Sequence, residues 1–193
     1  MKPKLKISQF VYSGLLVGFI GACGQELKTS ADFDRGAAKD SSLRLELLRS
    51  RIDSLERVLA KDSLAVNNNE KVLDSLGTVC VELANGYRNT AYAPVALWKA
   101  AKAFRAAGSY PQAIECGRAL TDAYPQHDLA ASALFHNALI FNEDLNNKAS
   151  AEFYLDRLLE EYPTDSLAPQ AKVMRELLGL SDEELLQKIR KGG

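Results

Sequence analysis

Histidine is scarce in this chain. His127 and His136 are the only two, and neither has a second ligand four positions away, so the sequence gives a metal centre no support. Cysteine is nearly as scarce. Cys23, Cys80 and Cys116 form no C-x-x-C pair, which removes the pattern of a zinc ribbon or a thioredoxin-type redox site. Basic residues do not outnumber acidic ones: 24 Lys and Arg face 25 Asp and Glu, for a net charge of −1. No basic stripe is visible, so no nucleic-acid partner is expected. A Gly-rich phosphate loop, a nucleophile elbow and a zinc-protease motif are also lacking. The carboxylate pairs Glu143-Asp144 and Glu160-Glu161 fall at helix ends and read as solvated faces, because an acid/base dyad needs a pocket. The expectation is a protein without enzymatic activity and without a cofactor.

Long apolar runs are lacking as well. The most apolar stretch, residues 10–22, has 13 residues, whereas a membrane-spanning helix needs about 20. Lys2, Lys4 and Lys6 precede it, and the length and flanks match the apolar region of a secretory leader. The stretch ends in Ile20-Gly21-Ala22-Cys23, a branched aliphatic, two small residues and a cysteine. That ending resembles the lipobox of bacterial lipoproteins. The resemblance implies cleavage of residues 1–22 and diacylation of Cys23, usually with acylation of the new amino group. Two or three acyl chains anchor stably, since each buried methylene contributes about 0.8 kcal/mol. Gly24 and Gln25 follow, with no aspartate directly after the cysteine, which resembles a cargo of the outer membrane, facing the periplasm. The mature chain loses three lysines and becomes more acidic.

Residues 23–41 are polar and without clear periodicity, and read as a flexible tether. Leu45, Leu48, Ile52, Leu55 and Leu59 then recur at alternating spacings of three and four, which predicts a helix over 42–62 with a coiled-coil-like seam. Two heptads leave two readings open: homo-oligomerisation through 43–59, or docking on the downstream domain, for which Leu43 and Leu47 add a second apolar edge. The Asn run at 67–69 is expected to break the helix.

Self-comparison exposes a repeat in 71–189. A shift of 37 superposes Ala93 on Ala130, Leu97 on Leu134, Trp98 on Phe135, Ala101 on Ala138 and Phe104 on Phe141; a shift of 38 superposes Ala113 on Ala151, Leu120 on Leu158 and Tyr124 on Tyr162. Each unit holds two helices, about 90–107 with 110–124 and about 127–144 with 148–162. Gly108 and Pro125 terminate the first pair. The stretch 71–86 behaves as a second helix without a strong first partner, 166–178 as a first helix, and Ser181 to Glu184 as a capping box opening a last short helix. Cys80 and Cys116 fall on neighbouring second helices, one residue out of register, and read as buried free thiols ahead of a disulfide.

The stretch FRAAGSYPQAIECGRALTDAYP resembles a tetratricopeptide repeat. The small residue at the helix contact corresponds to Ala101 and Ala138, the Gly-x-Tyr-x-x-Ala turn to Gly108, Tyr110 and Ala113, and the terminal proline to Pro125 and Pro163. The second unit departs, with Leu145 and Lys148 in place of Gly and Tyr. The extended period resembles periplasmic repeat lipoproteins of the outer-membrane barrel-assembly and Tol–Pal accessory type. The resemblance implies an all-α solenoid of antiparallel helix pairs whose first helices line a concave binding face. It would place Val95, Trp98, Lys102, Arg105 and Ala106 on that face, with Ser132, Phe135, Leu139, Asn142 and Glu143 in the next unit. Trp98 and Phe135 would form an aromatic floor, or else fill the core between repeats; Lys102 and Arg105 would select acidic groups. The implied function is a lipid-anchored cell-envelope adaptor that binds envelope proteins or peptide segments; the alternative is an accessory binder of a small ligand or glycan for an outer-membrane transport system.

Overall fold

The computed structural model describes residues 30–61 and 66–180, together with positions 183, 184, 187 and 190. Side chains are described from residue 40 in the first stretch and from residue 69 in the second. The expected leader, the acylated Cys23, the start of the tether and the capping residues Ser181 and Asp182 lie outside the described residues. Two compact units divide the chain at 38/39, and the second, from Lys39 onward, holds the repeats.

All regular structure among the described residues is helical: α1 (Ser30–Lys61), α2 (Val66–Gly86), α3 (Tyr92–Ala106), α4 (Tyr110–Ala123), α5 (Ala130–Leu139), a π turn (Ile140–Asp144), α6 (Lys148–Glu161) and α7 (Ala168–Leu178). Two boundaries depart from the sequence reading. Residues 30–41, read as tether, are already helical; Ala31, Ala37 and Ala38 have high helix propensity and extend the helix that the docked leucines hold. The Asn run opens α2 instead of breaking it, because first-turn N–H groups have no helical partner and Asn is tolerated there.

The heptad seam of α1 docks. Leu48 and Ile52 are buried among Leu76, Val79, Cys80 and Leu83 of α2, and Leu45, Leu55 and Leu59 pack against the same cluster. Leu43 and Leu47 stay exposed. The edge read as extra docking surface therefore faces out, and the seam offered for homo-oligomerisation is covered within the chain. Arg44 pairs with Glu82 at 2.9 Å and Glu56 with Lys99 at 2.6 Å. Helix α1 thereby supplies the first-helix partner that α2 lacked in the sequence.

One turn recurs three times. The carbonyl of Tyr87 accepts from Thr90 N and that of Thr90 from Ala93 N; the same chain runs through Tyr124, His127 and Ala130, and through Tyr162, Asp165 and Ala168. His127 Nδ1 accepts from Leu129 N at 3.1 Å and Asp165 Oδ1 from Leu167 N at 2.8 Å, so the histidine serves as a turn acceptor. Each tyrosine hydroxyl then reaches back one unit. Tyr162 donates to Pro125 O at 2.9 Å, Tyr124 to Arg88 O at 2.7 Å, and Tyr87 to Ser41 O. The last bond gives α1 the place that a preceding unit occupies for the others.

The one-residue difference between the units has a location. Phe104 O accepts from Ser109 N, five positions on, whereas Phe141 O accepts from Asn147 N, six positions on. The extra residue sits in the π turn, where Leu145 N bonds Ile140 O, and a π turn is how a helix absorbs an insertion. Gly108 closes the first unit's helix at φ 76 and Asn146 the second's at φ 48. Asn is one of the few side chains that tolerate this left-handed region, so Asn146, and neither Leu145 nor Lys148, stands in for the missing glycine.

Candidate functional site

Helix α3 has two partnered flanks and one open stripe. At 3.6 residues per turn, Tyr92 and Lys99 share one side and Trp98 and Arg105 another, about 120° away; Val95 and Lys102 lie between. The first flank meets α1. The Arg49 guanidinium lies over the Tyr92 ring, 5.0 Å from its centroid, and Lys99 holds Glu56. The second flank meets α5 and the π turn. Trp98 meets His136 edge-on at 5.3 Å, and Arg105 binds Asp144 and Glu143, each at 2.7 Å. The first helices α1, α3 and α5 therefore stand side by side, with α3 in the middle. Val95 is 41% exposed, Lys102 is exposed, and the Lys102 ammonium rests 5.3 Å from the Trp98 centroid.

Two of the residues expected to bind are consumed by the fold. Arg105 was read as a selector of acidic groups, but its charge is taken by Asp144 and Glu143 of the next unit. Burial pulls its pKa down, and the hydrogen bonds to Glu143 and Asp144 more than offset that, leaving it raised. Of the two readings of Phe135, groove floor or core between repeats, the structure fits the second: it is 8% exposed and packs with Ala168 and Ala171 of α7. It does between α5 and α7 what Trp98 does between α3 and α5, and the smaller neighbours there close over it. Leu139 is half-buried against the same cluster, and Asn142 is half-buried in the π turn. Of the expected set, Val95, Trp98 and Lys102 come together at the open stripe.

His136 was not among the expected site residues. Its ring is buried and Nδ1 has no partner. Burial, then the nearby Arg105 and Lys102 charges, lower its pKa to about 4, with Asp144 opposing. It is therefore a neutral ring between two cations at neutral pH. Its one sequence signal was its place beside Phe135, the counterpart of Trp98. Cys80 and Cys116 are buried free thiols, both pushed up to about 12 chiefly by burial, which keeps them protonated and poorly nucleophilic. Among the described residues no group of His, Cys, Asp and Glu is placed to hold a metal ion, and no helix is long and apolar enough to cross a membrane.

A cavity of about 250 Å³ opens where α1 meets α3, with Ile52, Leu83 and Ala96 in its floor and Arg49, Asp53 and Tyr92 at its rim. Sequence reasoning missed it because α1 was not seen to be the neighbour of α3. No match to a curated protein or to a solved structure is found. Residues 95–127 and 132–165 match the model of the tetratricopeptide repeat family, and the segment 95–165 accordingly carries two tetratricopeptide repeats, beginning within α3 and ending in the turn before α7.

Proposed function

We propose that the chain is a lipid-anchored scaffold of the bacterial cell envelope, held by acylated Cys23, most simply at the outer membrane facing the periplasm, and that it binds protein partners on the open stripe of α3. The tetratricopeptide repeats support a protein–protein interaction role. The observation that carries the reading is the contrast within α3. Both flanks are filled by neighbouring first helices, while Val95 and Lys102 stay open between them with Trp98 at the edge. Tryptophan is among the residue types that dominate binding energy at protein interfaces, and Trp98 lies half-buried at the edge of the stripe with Lys102 over its ring. The envelope location rests on the charge, length and Cys23 ending of the leader.

A photo-crosslinking residue placed at position 95, and in parallel at Phe153 on α6, tests the binding face in cells. The reading expects a discrete protein adduct from position 95 that disappears with Lys102→Glu. Adducts from position 153 alone would contradict it. For the anchor, Cys23→Ser should abolish labelling by a palmitate analogue and release the chain from membranes; retention of both would remove the lipoprotein reading.

A further inference from the structure

We infer that the binding face extends onto α1, outside the matched repeats, and that the cavity between α1 and α3 anchors one aliphatic side chain of an extended partner segment, with an adjacent carboxylate of that segment on Arg49. The inference rests on the reading of the open stripe of α3 as a binding face.

Three observations converge on this occupant. The first is size and lining. The cavity measures about 250 Å³ over a floor of Ile52, Leu83 and Ala96, with Val95 at its edge. Sites for drug-sized ligands run from about 300 to 1,000 Å³. This one suits a single branched side chain inserted from a chain lying on the surface.

The second observation is charge. Three acids of this face are already taken, Glu56 by Lys99 and Glu143 with Asp144 by Arg105. Two cations are not. Among the described residues, Arg49 and Lys102 have no carboxylate partner, and each lies over an aromatic ring, Tyr92 and Trp98. A ring positions a cation without neutralising it, so both remain able to receive an anion. Asp53 lines the same cavity. It counts against a second carboxylate there and confines the first to the Arg49 side.

The third is spacing. Tyr92 and Lys102 stand ten positions apart on α3, a rise of about 15 Å. An extended partner advances about 3.3 Å per residue. A segment with its first acid on Arg49 therefore meets Lys102 with a second acid roughly four or five positions away, and Val95 lies beneath the span. The occupant is an extended peptide bearing an acidic-aliphatic pair and a second acid roughly four or five positions further on, nearly three turns of α3 along.

The test is selection of a displayed library of random linear peptides on the full chain, followed by affinity measurement on variants. Enriched peptides are expected to pair Asp or Glu with Leu, Ile, Val or Met. They should bind Arg49→Glu about tenfold more weakly, and changing the peptide's acid to Lys should restore binding to that variant while losing the wild type. The described contact of the Arg49 side chain is the Tyr92 ring, so an unchanged unfolding midpoint for Arg49→Glu separates lost binding from lost fold. Equal binding to Arg49→Glu and wild type, or no enrichment, overturns the inference. Val95→Glu separates the two readings. Binding lost on Val95→Glu and kept on Arg49→Glu leaves the α3 stripe standing and removes the α1 station; binding kept on both removes both.

Discussion

The two repeat units, α3–α4 and α5–α6, reach the same architecture with opposite distributions of bulk. In the first interface Cys80 on α2 and Ala100 on α3 are both fully buried. Thirty-seven positions on, the same places hold Gly117 and Asn137. There the glycine has surrendered its side chain and the asparagine has taken the volume: a Cβ on Gly117 would lie 2.5 Å from Asn137 Oδ1, while Asn137 Nδ2 donates to Ile114 O at 3.2 Å. The turns show the same exchange. Gly108 serves the first unit, and a π turn with Asn146 serves the second. The comparison teaches that the repeat keeps the hydrogen bonds between turns and leaves the residue at each packing place open.

The sharpest way to break the comparison is Gly117→Ala. Overpacking against Asn137 should lower the unfolding free energy by about 2–3 kcal/mol in urea titration. Adding Asn137→Ala should recover part of it, whereas Gly86→Ala, with open space around it, should not need rescue. Next comes Arg105→Ala, which leaves Asp144, only 22% exposed, without its partner. A loss of about 1–2 kcal/mol is expected, between the values for surface and buried pairs, and Glu143→Gln alone should cost less because that carboxylate is 52% exposed. Tyr162→Phe removes one rung of the tyrosine ladder and should cost about 1 kcal/mol, with Tyr124→Phe matching it if the rungs are equivalent.

A separate effect is in pH. Folded His136 takes a proton only near pH 4, against about 6.5 when unfolded. Between these values the unfolded chain binds more protons, so stability contributed by the neutral ring is present above pH 6.5 and is lost as pH falls toward 4. His136→Phe keeps a ring against Trp98 and removes this component. The gap in unfolding midpoint between wild type and variant should move in the variant's favour over that window, and a constant gap would show that His136 does not titrate there.

The repeat was legible because it is written in periodic residues. The alanines at 93 and 130, the prolines at 125 and 163 and the tyrosines at 124 and 162 all superpose at shifts of 37 or 38, and helices formed where that pattern placed them, within a few residues. What lay beyond reach was pairing across units. Arg105 looked like a free cation because its partners stand 38 and 39 positions away on a π turn that the sequence does not announce. Phe135 looked like the twin of Trp98, and is, but the alanines of α7 close over it while His136 leaves Trp98 half-open. Helix α1 was the hardest, because its heptads fit self-association and docking equally well and its register to α2 departs from the repeat period: Tyr87 reaches back 46 positions to Ser41, against 36 and 37 for the other rungs.

Whether α1 completes the row of first helices decides both the fold account and the extent of the binding face. Urea unfolding of Ile52→Asp, followed alongside its sedimentation, tests this most directly. Ile52 is 6% exposed in the shared core, so a charge there should destabilise the whole repeat domain by at least about 2 kcal/mol with no change in oligomeric state. An unchanged unfolding curve with loss of a wild-type dimer would mean that the seam of α1 faces a second chain, and would contradict the account.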